Sequence, residues 1–479
     1  MHSIVEKAPW FLGPHGLMQH HAQQPGAILL ESARLIPGRA RYSFVTSAPF
    51  ARFRSVGTRC EVWTEGGTTL EMFGDPWKLL DAMQSKYELL EDLDLPFPLG
   101  GAFGYWGYDL KNFVEPRLRR RAVHDVEIPD CEVGFYDSLV AFDHEMGESW
   151  IISTGLTPDG TRCLDRARRK ADFWRDSLMG SVGGDSLAPS SSCPADSGSI
   201  GVTEMSRDCF LRLVARAQAY IRAGDIYQVN LSQRMKVPSA VDPWDFYLAL
   251  AEQSPAPFAG YYRGEDRALC SSSPELFLKM SGSHVTTRPI KGTRPRSLDP
   301  LRDAQLGYEL QTSVKERAEL LMITDLLRND LGRVSKYGTV NVPQLMELER
   351  YAQVQHLVST VEGHLRDGVT HFQAFASCFP GGSITGAPKI RAMDIIDELE
   401  PVARGPYTGA GGYLGFNRES QLSILIRTAV WQPDCLRFQV GAGIVSDSEP
   451  EAEFQETLDK AAGFQAALRR LKGRRPIQR

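Results

Sequence analysis

The chain has 479 residues, 42% of them hydrophobic and 24% charged, with a net charge of −5 at pH 7. That length allows two to three lobes around a large buried core, and the composition excludes a disordered or fibrous chain. The slight acidity, with no basic run interleaved with aromatics, excludes a general nucleic-acid binder. At the N-terminus, MHSIVEKAPWFLGPHG lacks the basic start and apolar stretch of a secretion signal, and no segment is long enough to cross a bilayer, so a cytoplasmic location with no membrane partner is expected. Short β-like runs at 27–30 and 149–153 alternate with Gly/Pro turns, and 76–87 reads as an amphipathic helix. The stretch 179–201, MGSVGGDSLAPSSSCPADSGSIG, has the composition of a flexible connection and divides an N-terminal region (1–178) from a C-terminal catalytic region (202–471). Beyond it, helices are predicted over 206–223, 242–253 and 301–331, alternating with strand-like runs at 275–280, 422–431 and 436–440. The mixture predicts an α/β or α+β fold with sheets covered by helices. Eight scattered cysteines show neither CxxC nor CxxxH spacing, so they are expected to be reduced packing residues rather than a zinc site or a disulfide framework.

The segment Arg288-Pro-Ile-Lys-Gly-Thr-Arg-Pro-Arg296 places Lys291 in a tight loop between arginines. A positive local field there would favour the neutral, nucleophilic amine. Two carboxylate pairs have helical spacing. Glu316 and Glu319 fall within KERAELLMITDLLRNDL, and Glu453 and Glu456 fall within a segment that Ser448, Pro450 and Glu451 start as a helix, with Lys460 one turn further on the same face. Taken alone, either pair reads first as a solvated helix face. If the two faces converge, four carboxylates require a cation, and hard oxygen ligands suit Mg²⁺. The cation would also admit a dianionic substrate that the bare acids repel.

Together these motifs resemble the chorismate-utilising enzymes. The similarity runs through AGDIYQVNLSQR (223–234), SSSPELFL (271–278), PIKGTRPR, KERAELLMITDLLRNDL, FPGGSITGAPK (379–389), GPYTGAGGYLGF (405–416), IRTA at Arg427 and VGAGIVSDSEPEAEFQETLDKA (440–461). It is looser before residue 179, through ILLESA (28–33), RYSF (41–44) and FGYWGYDL (103–110). The resemblance implies a large, intertwined, two-lobed β-sandwich flanked by helices. It implies that Glu316, Glu319, Glu453 and Glu456 surround a Mg²⁺ that anchors the ring carboxylate, that Glu275 is the acid protonating the departing 4-hydroxyl, and that His356 lies near that hydroxyl. Tyr407 and Arg427 would grip the enolpyruvyl carboxylate, since an arginine fork matches two carboxylate oxygens. Gly441 would offer a backbone N–H and Lys460 a charge, while Gln228, Thr293, Arg294 and Thr385 would complete the substrate contacts. Ser32, Pro257 and Phe258 resemble the family's tryptophan pocket.

Two positions discriminate within that family. Isochorismate and salicylate synthases place a water-activating lysine where this chain has Gln228, so an ammonia-using enzyme is expected. Anthranilate synthases read PIAGT where this chain has Lys291, which is similar to the PIKGT of aminodeoxychorismate synthases. The mechanism so implied is attack of the Lys291 amine on C2 with loss of the 4-hydroxyl, then addition of ammonia at C4, giving 4-amino-4-deoxychorismate for 4-aminobenzoate and folate synthesis. An anthranilate synthase component that happens to carry lysine and, in another class, a non-catalytic regulatory subunit are the alternatives. No cysteine here lies in the sharp Gly-flanked turn of a glutaminase, so ammonia is expected from a separate glutaminase subunit.

Overall fold

Strict alternation of apolar side chains builds the first of two large antiparallel sheets. Within the strands Ile28–Glu31, Tyr42–Thr46, Ser138–Asp143 and Phe258–Arg263, the residues Ile28, Phe44, Leu139 and Tyr262 enter one core. Their neighbours Leu29, Val45, Val140 and Tyr261 enter another on the opposite face. Both faces of this sheet are therefore covered, as its near-continuous apolar runs require. The computed structural model describes residues 3–9, 12–33, 40–89, 95–180, 202–238, 241–350 and 354–473.

Among these residues each sheet holds 12 strands. The inner core joins the two sheets: Phe53, Phe103, Phe135 and Leu422 of the second pack with Val229, Leu269 and Ile444 of the first. The outer face of the first sheet is covered by the helices Pro14–Gln19, Leu164–Leu178, Pro243–Gln253 and Pro450–Gly473. Each fully buried aromatic or aliphatic side chain contributes about 1.5–3 kcal/mol. The architecture is thus the helix-flanked sandwich implied by the sequence motifs.

Segments on either side of 179–201 are interleaved. Ile28–Glu31 pairs with Phe258–Arg263, with Glu31 opposite Ala259. In the second sheet Gly101–Trp106 pairs with Ala410–Gly415, with Gly104 opposite Gly412. A Cβ on Gly104 would lie 2.2 Å from the carbonyl oxygen of Glu132, so the FGYWGYDL motif needs glycine there for the close approach of its neighbouring strand. Met179 caps the helix Leu164–Leu178, and 181–201, most of the predicted connection, lies outside the described residues.

Local chemistry explains most boundaries. Asp242 and Ser206 accept backbone N–H bonds at the starts of Pro243–Gln253 and Arg207–Arg222. Three expectations need correction. The predicted helix over 301–331 is two helices, Pro300–Thr312 and Val314–Gly332, because Ser313 ends the first and its hydroxyl caps the second through Glu316 N. The strand-like run 422–431 is likewise two strands in different sheets, Glu419–Ile424 and Thr428–Gln432, divided at Arg427, which has a φ of 51°. Ser448 does not cap Pro450–Gly473; its hydroxyl donates to Glu453 instead (2.7 Å). The cysteines described are all unpaired and mostly buried, and no described helix is long and apolar enough to cross a membrane.

Candidate active site

The strand Ile290–Pro295 sits at the edge of the second sheet, hydrogen-bonded to Val354–His364 and packed over the helix Val314–Gly332. Lys291 points from it to Glu319, with Nζ 3.1 Å from Oε2. Gly292 makes the approach possible: at φ 69°, a Cβ there would meet Leu310 at 2.6 Å and the Glu316 carboxyl at 3.1 Å. The expected positive field does not materialise, because each flanking arginine faces an acid. Arg288 binds Glu349, Arg294 lies 3.8 Å from Glu316, and Arg296 binds Asp303 at 2.8 Å.

Opposite this edge stand two strands of the first sheet, Gln228–Pro238 and Cys435–Ile444. Gly443 leaves a gap there. A Cβ at this position would lie 2.5 Å from Gln228 Nε2 and 3.4 Å from Lys291 Nζ, so the amide and the amine border one space. Gln228 is 2% exposed and its Oε1 has no hydrogen-bond partner. Glu275, just before the strand Leu276–Ser281, is buried close enough to Lys291 to feel its charge. Burial pushes its carboxyl up to about 7, against the opposing pull of a hydrogen bond from Ser383 and the nearby Lys291.

The two acidic helices approach each other, although among the described residues their four carboxylates do not gather at one point. Lys315, beside Glu316, lies 4.0 Å from Glu453 on Pro450–Gly473. Burial, then repulsion from the second acid of each pair, raises the carboxyls of Glu316 and Glu453, although the Ser448 hydrogen bond opposes this at Glu453. Glu456 pairs with Lys460 at 2.7 Å, and Lys460 also donates to the carbonyl of Gly441 (2.8 Å). Gly441 adjoins Tyr407, since a Cβ added to it would lie 2.7 Å from the phenol oxygen. The phenol is pushed up to about 12 by burial. Lys291, Glu316, Glu319, Arg294, Glu275 and Gln228 therefore share one locality, and Glu453, Glu456, Lys460, Gly441 and Tyr407 extend it along the first sheet.

His356 lies opposite Thr293 in the strand pair, with Nδ1 2.9 Å from Thr293 Oγ1. Thr385 is buried with its hydroxyl donating to the carbonyl of Gly381 (3.1 Å) or Gly382 (3.2 Å), so it braces the 381–386 turn. Arg427 is an exposed residue at the crossing between the two sheets, its carbonyl accepting from Ser272 N (3.0 Å). The cation that overlies the Tyr407 ring is Arg404, 5.6 Å from the ring centroid and held by Glu400. Away from this site, Ser32 donates to Tyr42 O (2.9 Å) and adjoins Phe258 across the Glu31–Ala259 pair, with Pro257 buried next in the chain.

Residues 41–466 match the family described as chorismate binding enzyme. The chain belongs to that family. Among chorismate-binding relatives, anthranilate synthase component 1 of Acetivibrio thermocellus is 37% identical over 462 residues, covering 95% of this chain and 92% of the relative. Aminodeoxychorismate synthase component 1 of Salmonella typhimurium is 39% identical over 443 residues, covering 91% of each. The crystal structure of anthranilate synthase component I from Streptococcus pneumoniae is similar with a TM-score of 0.76 and 30% identity, over 90% of this chain and 93% of that one. The menaquinone-specific isochorismate synthase of Escherichia coli shares the fold at a TM-score of 0.71 and 18% identity, over 97% of this chain and 94% of that one.

Four residues of this chorismate-binding chain escaped residue-by-residue reading: Ser383, Gly443, Lys315 and Arg404. The first two lie inside motifs already singled out, FPGGSITGAPK and VGAGIV, where their small size was the available signal. Lys315 and Arg404 carry none, because their partners Glu453 and Glu400 are recognisable only once the helices are in place.

Proposed function

We propose that the chain is the chorismate-aminating component of an aminodeoxychorismate synthase. The observation that carries this reading is the Lys291 amine bordering one space with the Gln228 amide, in the field of the buried acid Glu275. In this reading Glu319, 3.1 Å from Nζ, is the nearest group to take the ammonium proton and free the amine. The amine bonds to C2 of chorismate, the ring double bond shifts, and the C4–oxygen bond breaks as Glu275 delivers its proton, releasing water. Ammonia then adds at C4, the double bond returns, and the C2–nitrogen bond breaks to restore Lys291. The Glu275 carboxylate takes the proton that the new ammonium sheds. His356 and its partner Thr293 orient the leaving hydroxyl, Tyr407 and Arg427 hold the side-chain carboxylate with Gly441 and the charge of Lys460, and Arg294 holds Glu316.

Glu316, Glu319, Glu453 and Glu456 suit a Mg²⁺ ion, because they are hard oxygen donors in two pairs, and burial with a neighbouring acid raises the carboxyls of Glu316 and Glu453, which a cation would relieve. When bound, Mg²⁺ would neutralise this cluster and anchor the ring carboxylate. The "component 1" in the relatives' names supports a second component, which we assign as a separate glutaminase subunit delivering ammonia. Ser32, Pro257 and Phe258 are proposed to border a tryptophan site.

Relatives with anthranilate synthase names match at the same level of identity, which favours that reaction as the second reading. Purified protein given chorismate, Mg²⁺ and ammonium decides between them. The proposal expects aminodeoxychorismate without pyruvate, together with a substrate adduct on Lys291 detectable by mass analysis. Release of anthranilate and pyruvate would overturn it.

A further inference from the structure

A second cluster of ligating groups lies behind the 403–407 segment that carries Tyr407. Asp109, His124 and Asp130 each bring one ligand atom to a common point, all within 4.8 Å of one another. They border a cavity of about 50 Å³, enough for an ion and its water. Sequence-distant segments deliver them. Asp109 follows the strand Gly101–Trp106, Asp130 precedes Cys131–Tyr136, and His124 is brought in by the pairing of Val123 with Val402.

The two aspartates are buried close to each other, with His124 and Arg120 the cationic groups nearest Asp130. Each spends one oxygen on a backbone N–H, Asp109 on Gly405 (2.8 Å) and Asp130 on Gly57 (2.6 Å), which leaves the other oxygen of each available. The arginines bordering the cavity are turned to other acceptors: Arg404 to Glu400, Arg234 to Asp125 and Glu204, and Arg437 to Gln432. Independently, Gln439 lines the same cavity at 6% exposure. Its amide nitrogen donates to Ala403 O while its amide oxygen has no partner at all. A buried acceptor left without a donor costs about 1–3 kcal/mol, which a ligand in the cavity would recover.

We propose that Asp109, His124 and Asp130 bind one divalent transition-metal cation, with the amide oxygen of Gln439 as a further donor. One imidazole with hard oxygens selects Zn²⁺, Mn²⁺ or Co²⁺ over Mg²⁺. Ligand bonds of about 2.0–2.2 Å require the three atoms to draw together slightly, and exposed His124 is the one able to move. The ion would fix Asp109 and, through Gly405, the backbone that presents Tyr407. The site is distinct from the glutamate cluster and meets the proposed reaction only through the backbone that carries Tyr407.

The test is Zn²⁺ binding by the chelator-treated full-length protein, in excess Mg²⁺, for wild type, His124→Ala and the double variant Glu316→Gln/Glu453→Gln. Wild type and the double variant should retain one zinc equivalent that raises the melting temperature. Loss of one ligand in His124→Ala should weaken it by more than the roughly 10–100-fold typical of outer-shell changes. Co²⁺ substitution should show a visible band in wild type that His124→Ala lacks. Equal zinc affinity in wild type and His124→Ala, or loss of all zinc from the double variant, would overturn the assignment.

Discussion

The Lys291 amine stands 3.1 Å from the Glu319 carboxylate, and this ion pair, rather than the arginines on either side, forms its immediate surroundings. Lys291→Arg keeps a positive charge opposite Glu319 but supplies no amine that can bond and leave. The variant should fold, with a melting temperature close to wild type, and lose at least about 10³-fold in ammonium-driven turnover. Retained aminodeoxychorismate formation would rule out a covalent role.

Glu275 must hold a proton to release the hydroxyl, and burial pushes its carboxyl up to about 7. Turnover should therefore fall as pH rises through about 7, and Glu275→Gln should abolish that limb with a loss of about 10²–10⁴-fold in kcat. A carboxyl raised in the folded state contributes stability that is complete below about 4.5 and lost as pH rises through about 7. Glu275→Gln should thus gain stability relative to wild type at pH 8 more than at pH 5, as read by urea unfolding.

Gly443→Ala places a methyl group 2.5 Å from Gln228 Nε2 and 3.4 Å from Lys291 Nζ. The overpacking should cost about 1–3 kcal/mol of stability. Because the methyl occupies the space between the amide and the amine, turnover should drop disproportionately in a protein that still folds; normal kinetics would show that nothing reacts there.

Ser448 donates at 2.7 Å to Glu453 and so orients one of the proposed magnesium ligands from outside. Ser448→Ala should raise the Mg²⁺ concentration needed for half-maximal activity by about 10–100-fold while leaving the maximal rate nearly intact. An unchanged magnesium titration would remove Glu453 from the ligand set.

Lys111, fully buried, donates to Asp397 at 3.1 Å and ties the segment after FGYWGYDL to the helix Lys389–Leu399. Lys111→Met leaves a buried acid without its partner, which should cost about 3–5 kcal/mol in denaturant unfolding. The double change with Asp397→Leu should recover much of that loss.

Much of the fold was legible because period-two alternation and capping residues act locally. Asp242, Ser206 and Pro76 marked helix starts that the structure reproduces. Errors arose where tertiary context overrode local pattern. Ser313 reads as one more polar position in a helix, yet its hydroxyl restarts the backbone there, and Arg427 interrupts an apolar run because the chain changes sheets at that residue. In the candidate site, helical spacing identifies the paired acids, but the field around Lys291 is set by groups distant in sequence. Sequence shows the neighbouring arginines and not Glu349, Glu316 and Asp303, which fold back to face them.

The interleaving of early and late strands has a consequence for biogenesis. The Tyr247 hydroxyl that binds Glu31 lies 216 residues downstream of it, so a translating ribosome takes about 10–40 s to supply the second partner after the first has been made. Through that interval Ile28–Glu31 exposes an unsatisfied edge, the kind of surface that recruits chaperones or sticks to another nascent copy. Truncated versions ending before Phe258–Arg263 should accordingly accumulate as aggregates rather than as a free-standing N-terminal lobe.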